Sequence, residues 1–158
     1  MTGTAVNPAD RLRSPRATLG GYVILPRLID KVRLHATGEL PPEYFPQLLA
    51  SEPALDGRFL AFSGVDAQAL RQAIRSSPHD EGVLLWVEHH GRPRSDAEKR
   101  EWAAAIEAYR PDVDRAARRR AAYPKVAARV DVGAISVFDL IDLDEGRLPF
   151  PSASSRDG

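Results

Sequence analysis

The sequence predicts an all-α protein, and three observations carry that expectation. Apolar residues recur at three- and four-residue spacings in several separate segments. Those segments tend to open on Ser or Asp and to close on Gly or Pro, the residues that start and stop helices. Alternating β-branched stretches are too scarce to supply a sheet. Together they describe a compact single domain over residues 14–148, built of about six short helices with Pro-rich loops and no substantial sheet.

Taken in chain order, residues 1–13 are too poor in apolar side chains to pack and read as a mobile tail, and residues 149–158 read the same way. Ser14 before Pro15 suggests a short helical turn ending near Gly20 and Gly21. The clearest helix runs from Pro26 to about Thr37, with Gly38 as its stop. Leu25, Leu28, Ile29, Val32 and Ala36 form its apolar stripe, and Arg27, Asp30, Lys31 and Arg33 occupy the other faces. Pro41, Pro42, Pro46 and Pro53 make 39–60 a loop with one turn near Gln47 to Ser51, anchored by Phe59 and Phe62.

Asp66 is expected to cap a helix to about Arg75, with Val65 as its staple. Asp80 opens another that ends at His90 before Gly91. Ser95 and Glu98 have the spacing of a capping box for a helix carrying Trp102, Ile106 and Tyr109. Residues 112–122 read as an exposed Ala/Arg-rich helix stopped by Pro124. Ser136 caps the last helix, which Gly146 closes.

Composition excludes more than it assigns. A chain of 158 residues without cysteine has no disulfide scaffold, no zinc finger and no thiol nucleophile, and needs no oxidising compartment. Met1 to Asp10 has no apolar h-region and no apolar run is long enough to span a bilayer, so neither a leader nor a membrane helix is expected. The 22 cationic residues balance the 22 anionic ones, which opposes nucleic-acid binding through overall charge. That zero is a cancellation: residues 1–38 carry +4, 39–91 carry −5, 92–129 carry +5 and 130–158 carry −4.

No P-loop, G-x-G-x-x-G, G-x-S-x-G or H-E-x-x-H pattern occurs. The segment from Gly20 to Arg33 is the leading candidate site. Glycines before a helix N-terminus let the backbone approach an anion, which the free amides and the dipole favour. Gly20, Gly21, Tyr22, Arg27, Asp30, Lys31 and Arg33 are its residues, and the expected ligand is an unidentified anionic small molecule or protein partner. A competing reading makes the chain a small enzyme, with Asp30 or His35 as acid or base and Arg27 as electrophilic stabiliser. A third reads the basic run Arg115, Arg118, Arg119, Arg120, Lys125 and Arg129 as a nucleic-acid contact.

Two further clusters suggest less. Glu88-His89-His90 cannot chelate one metal, because adjacent helical residues point about 100° apart. Asp139, Asp142, Asp144 and Glu145 lack the calcium-loop spacing. Neither a metal nor a cofactor is expected.

The stretch LGGYVILPRLIDKVR resembles a bacterial family defined only as domain of unknown function 5069. The likeness continues through DGRFLAFSGVDAQALRQAI, VLLWVEHHG, SDAEKREW and FDLIDLDEGR. The resemblance implies a compact helical fold, cytoplasmic residence and no established activity. Its hallmark positions correspond to Gly20, Gly21, Tyr22, Pro26, Arg27, Asp30, Lys31, Arg33, Asp66, Trp86, Trp102, Asp139, Leu140 and Asp142. Between about Pro111 and Val132 the sequence departs from the family pattern.

Overall fold

A computed structural model describes residues 11–151, and the tail readings for 1–10 and 152–158 lie outside the described residues. Within them the fold is all-α, with one two-stranded ribbon: a 3₁₀ helix, η1 (Pro42–Gln47), and eight α-helices. These are α1 (Leu25–Ala36), α2 (Leu55–Ser63), α3 (Ala67–Ser76), α4 (Asp80–His90), α5 (Asp96–Ala108), α6 (Val113–Ala122), α7 (Pro124–Ala127) and α8 (Val137–Asp144). Among the described residues no helix is long and apolar enough to cross a membrane. The chain divides into two units, Met1–Glu101 and Trp102–Gly158.

The first unit is organised around α1, which packs against the ribbon, α2 and α3. Its apolar stripe is present, since Leu25, Leu28, Ile29 and Val32 are buried. Of the charged residues on the other faces, Arg27 and Lys31 are buried too, whereas Ala36, placed on the stripe, is exposed. A helix enclosed on most sides must pair the charges it carries inward.

The expected helical turn before Gly20 is instead a turn followed by a hairpin. Ser14 Oγ accepts from the Arg16 amide at 3.1 Å and the Ser14 carbonyl from the Ala17 amide at 3.0 Å. Then β1 (Thr18–Leu19) pairs antiparallel with β2 (Tyr22–Val23), Thr18 opposite Val23 and Leu19 opposite Tyr22. Gly20 and Gly21 have φ of +59° and +86°, the pair of positive values that a tight two-residue hairpin loop demands and that glycine adopts without strain. Chain entry to α1 is sharper still, because Ile24 has φ +76°, an uncommon conformation for a β-branched residue. Its amide is held by the Pro15 carbonyl at 3.0 Å and its carbonyl accepts from Leu28 at 2.9 Å.

Residues 55–63, expected as loop, form α2. The 3.6-residue signal is weak there because the buried positions include Asp56, Gly57 and Ser63, whereas Leu55, Leu60 and Ala61 are partly or fully exposed. The caps expected at Asp66, Ser95 and Ser136 are present, and Asp112 adds one beyond those expected. Asp66, Asp112 and Ser136 accept from the amides of Ala69, Arg115 and Asp139, and Ser95 and Glu98 exchange bonds at 3.0 and 2.8 Å. A satellite cluster of Leu12, Leu34, Leu40 and Tyr44 lies beside the main core. Leu12 is 1% exposed, so packed chain begins before residue 14.

The second unit centres on Val126, Val132, Leu140 and Leu143, against which Tyr123, Ile135, Leu148 and Phe150 pack. Pro124 ends α6 and opens α7, consistent with proline's tolerance at a first helical position. Arg147 Nη1 joins Asp142 Oδ1 at 2.8 Å and Glu145 Oε1 at 2.7 Å. The acidic cluster at the end of α8 thereby neutralises the cation that follows it.

Gly57 lies where a Cβ would overlap the backbone of Ala50, Ser51 and Glu52. Gly57→Ala is expected to destabilise the chain by about 1–3 kcal/mol through overpacking, read as a lower urea midpoint. An unchanged midpoint would contradict this packing.

Candidate functional site

The α1 charges are consumed within the first unit. Arg13 reaches Asp30 through three donors, its amide at 2.8 Å, Nε at 3.0 Å and Nη2 at 2.9 Å. Its Nη1 donates to Asp80 Oδ2 at 2.7 Å and Nη2 also reaches the Pro26 carbonyl at 3.2 Å. Arg33 completes the cluster, donating to Asp80 Oδ1 at 2.9 Å and to the Ser77 carbonyl at 3.2 Å. The fixed fork of arginine suits this planar, two-ended recognition of carboxylates.

The hydrogen bond from Arg13 holds Asp80 below the ordinary aspartate range, against the opposing effect of partial burial, and Arg33 adds to the depression. The same bonds, that to Asp30 first, raise Arg13 above the usual arginine value.

A second pair is nearly sealed from water. Lys31 Nζ meets Asp56 Oδ1 at 2.8 Å with side-chain exposures of 4% and 1%, and Asp56 Oδ2 accepts from the Leu49 amide at 2.8 Å. Arg27 donates to the Arg13 carbonyl at 3.1 Å and lies 5.7 Å from the Tyr44 ring centroid. Of the residues expected to form an anion site, Arg27, Asp30, Lys31 and Arg33 are therefore the fastenings of α1. His35, on the same helix, packs edge-on against Phe45 at 5.2 Å, and both Asp30 oxygens accept from Arg13.

Gly20, Gly21 and Tyr22 lie elsewhere, beside a cavity of about 240 Å³ lined by Tyr22, Glu88, Arg92, Pro93, Arg94 and Lys99. Three elements supply it: β2, the end of α4 with its following loop, and the first turns of α5. Lys99 is buried, donates to the Gly20 carbonyl at 2.7 Å and stands 4.4 Å from the Tyr22 ring centroid. A Cβ on Gly21 would come within 3.0 Å of Lys99 Cδ, so the second hairpin glycine gives the lysine stem its room.

Arg94 lies over Phe62 at 4.3 Å, donates to the Phe62 carbonyl at 2.9 Å and approaches Glu98 at 3.4 Å. Tyr22 is wedged edge-on against Phe59 and Phe62 at 5.3 and 6.1 Å. Burial raises its phenol above the usual value, and the Glu88 charge adds to the rise. Among the described residues the Tyr22 hydroxyl and the Arg92 guanidinium have no hydrogen-bond partner.

A family model matches residues 9–147, most of the chain, under the description Domain of unknown function (DUF5069). The chain belongs to that family. No curated protein matches it.

The other clusters of this DUF5069 chain serve local packing. Arg119 Nη1 donates to the Val132 and Ile135 carbonyls at 2.9 and 3.0 Å. Arg115 donates to the Tyr109 hydroxyl at 3.1 Å, and Arg129 lies over Phe150 at 4.5 Å. The basic run is thus divided, with Arg118, Arg120 and Lys125 exposed. His90 stacks on Trp86 at 4.5 Å and its Nδ1 lies 3.0 Å from the Trp86 carbonyl.

Arg13, Glu88, Arg92, Arg94 and Lys99 are the site and network residues that sequence reasoning missed. Arg13 falls within the expected tail. Arg92 and Arg94 flank Pro93 in a loop with no motif, and Lys99 reads as ordinary helix surface. The Gly20-Gly21 pair alone carried a usable signal, that of a two-residue hairpin.

Two outcomes follow from the ion pairs. Because the folded Asp80 value is depressed, its stabilisation is complete above the unfolded value near pH 3.9 and is lost as pH falls through and below it. The gap in urea midpoint between wild type and Asp80→Asn should therefore be widest near neutrality and shrink below about pH 4; parallel curves would refute this. Asp56→Ala should lose about 3–5 kcal/mol in urea unfolding by stranding Lys31. Adding Lys31→Met should recover part of that loss, since the Leu49 amide still lacks its acceptor, and no recovery would count against the pair.

Proposed function

We propose that this chain is a non-catalytic binding module of the bacterial cytoplasm, whose ligand presents an anionic group to the Tyr22 cavity. One observation carries the reading: Arg92, Arg94 and Lys99 line a single concave space together with Tyr22. Cations gathered at a shared cavity with donors to spare suit a phosphate or carboxylate, which accepts several charge-assisted bonds. Lys99 commits one of its three protons to Gly20, and the Arg92 fork is uncommitted among the described residues. The space lies below the roughly 300–1,000 Å³ of drug-sized sites, so the ligand is a small metabolite. The sequence-based expectation of an anion at the hairpin end of residues 20–33 is kept, with its cations drawn from residues 92–99 rather than from α1. Family resemblance and the lack of cysteine support the cytoplasmic setting.

Inorganic phosphate titrated calorimetrically at low ionic strength tests this. Wild type should bind, and Arg92→Ala, which removes an exposed side chain, should bind at least about tenfold more weakly, or about 1.4 kcal/mol. Equal responses in the two proteins, or none in either, would overturn the proposal.

A further inference from the structure

The cavity that would hold the anion is not lined by positive charge alone. Glu88, from the last turn of α4, shares it with Arg92, Arg94 and Lys99. Glu88 is exposed, and among the described residues it makes no ion pair and accepts no hydrogen bond.

Its neighbours explain why. Arg94 is held away by the Phe62 carbonyl, the Phe62 ring and Glu98. Lys99 is drawn to the Gly20 carbonyl and the Tyr22 face. The Arg92 stem lies against Gly64, where a Cβ would meet its Cγ at 3.0 Å. Glu88 and the cations therefore line one cavity without pairing with one another.

We infer that the ligand is a small zwitterion, one molecule carrying an anionic group for the Arg92, Arg94 and Lys99 side and an ammonium group for Glu88. The inference rests on the anion-binding reading above and narrows its ligand class. An ammonium is favoured over a neutral hydroxyl because a hydrogen bond between two charged groups is roughly twice as strong as one between neutral groups. The cavity's size allows a span of a few bonds between the two groups. Tyr22, protonated and lying between these influences, is available to donate to the anion.

Two probes separate this from simple anion binding. Ethyl phosphate and phosphoethanolamine share a phosphate on a two-carbon chain and differ by the terminal ammonium. Three cations without a countering carboxylate would favour ethyl phosphate, since the ammonium of the other probe would be repelled. With Glu88 engaged the order reverses.

Calorimetric titration of the full chain should show phosphoethanolamine binding about tenfold tighter than ethyl phosphate. In Glu88→Gln, which keeps the side-chain shape, the preference should vanish or invert while ethyl phosphate binds at least as well as to wild type. Thermal melts of both proteins verify that the variant is folded. Equal binding of both probes to wild type, or a preference for phosphoethanolamine that survives in Glu88→Gln, overturns the zwitterion inference and leaves the anion reading standing. Binding of neither probe to wild type overturns the anion reading and this inference with it.

Discussion

The guanidinium of Arg13 joins three stretches of chain that are distant in sequence. It bonds Asp30 and the Pro26 carbonyl on α1 and Asp80 at the start of α4. Arg33 closes the cluster by taking the other Asp80 oxygen. Because α1 packs against the ribbon, α2 and α3, its buried Arg27 and Lys31 must meet partners or cost several kcal/mol, while Asp30 and Arg33 are paired but only partly buried. Arg13, Asp56 and Asp80 are those partners. Removing Asp56 strands Lys31, nearly sealed from water in a helix that the rest of the unit packs upon.

That constraint also separates scaffold from site. Charges of α1 that resemble a ligand-binding set are spent on fixing the helix, which in turn fixes the ribbon against it. The ribbon carries Tyr22, and Phe59 and Phe62 of α2 hold the ring edge-on, contacts worth about 0.5–1.5 kcal/mol each beyond buried area. Lys99 and Arg94 are in turn positioned by main-chain carbonyls of Gly20 and Phe62. Packed aromatics thus back a cavity that Arg92, Arg94 and Lys99 line. Pre-organisation of this kind lowers the ordering cost of binding.

In the second unit the same economy of charge appears on a smaller scale. Asp142 and Glu145, both buried, share Arg147. Arg119 turns inward to carbonyls of the loop before α8. A basic run and an acidic run that stand out in the sequence are in large part the means by which short helices secure irregular chain.

The sequence by itself determined the helical class, most helix ends and their caps. Ser95, Asp66 and Ser136 act on amides three residues away, and such local bonds depend on spacing alone. It likewise marked α1 as the clearest helix through its apolar stripe, of which Leu25, Leu28, Ile29 and Val32 are buried. It could not reveal α2, whose buried face carries Asp56, Gly57 and Ser63 while Leu60 and Ala61 stay partly or fully exposed, nor the hairpin, whose two-residue strands are too short to alternate. Least legible were the pairings. Arg13 with Asp80 and Lys99 with Gly20 span 67 and 79 residues, and whether a charge on a helix meets solvent, a counter-ion or a cavity is decided only when distant elements pack beside it. The tertiary structure alone therefore turned Arg27, Asp30, Lys31 and Arg33 into fastenings and brought Arg92, Arg94 and Lys99 to Tyr22.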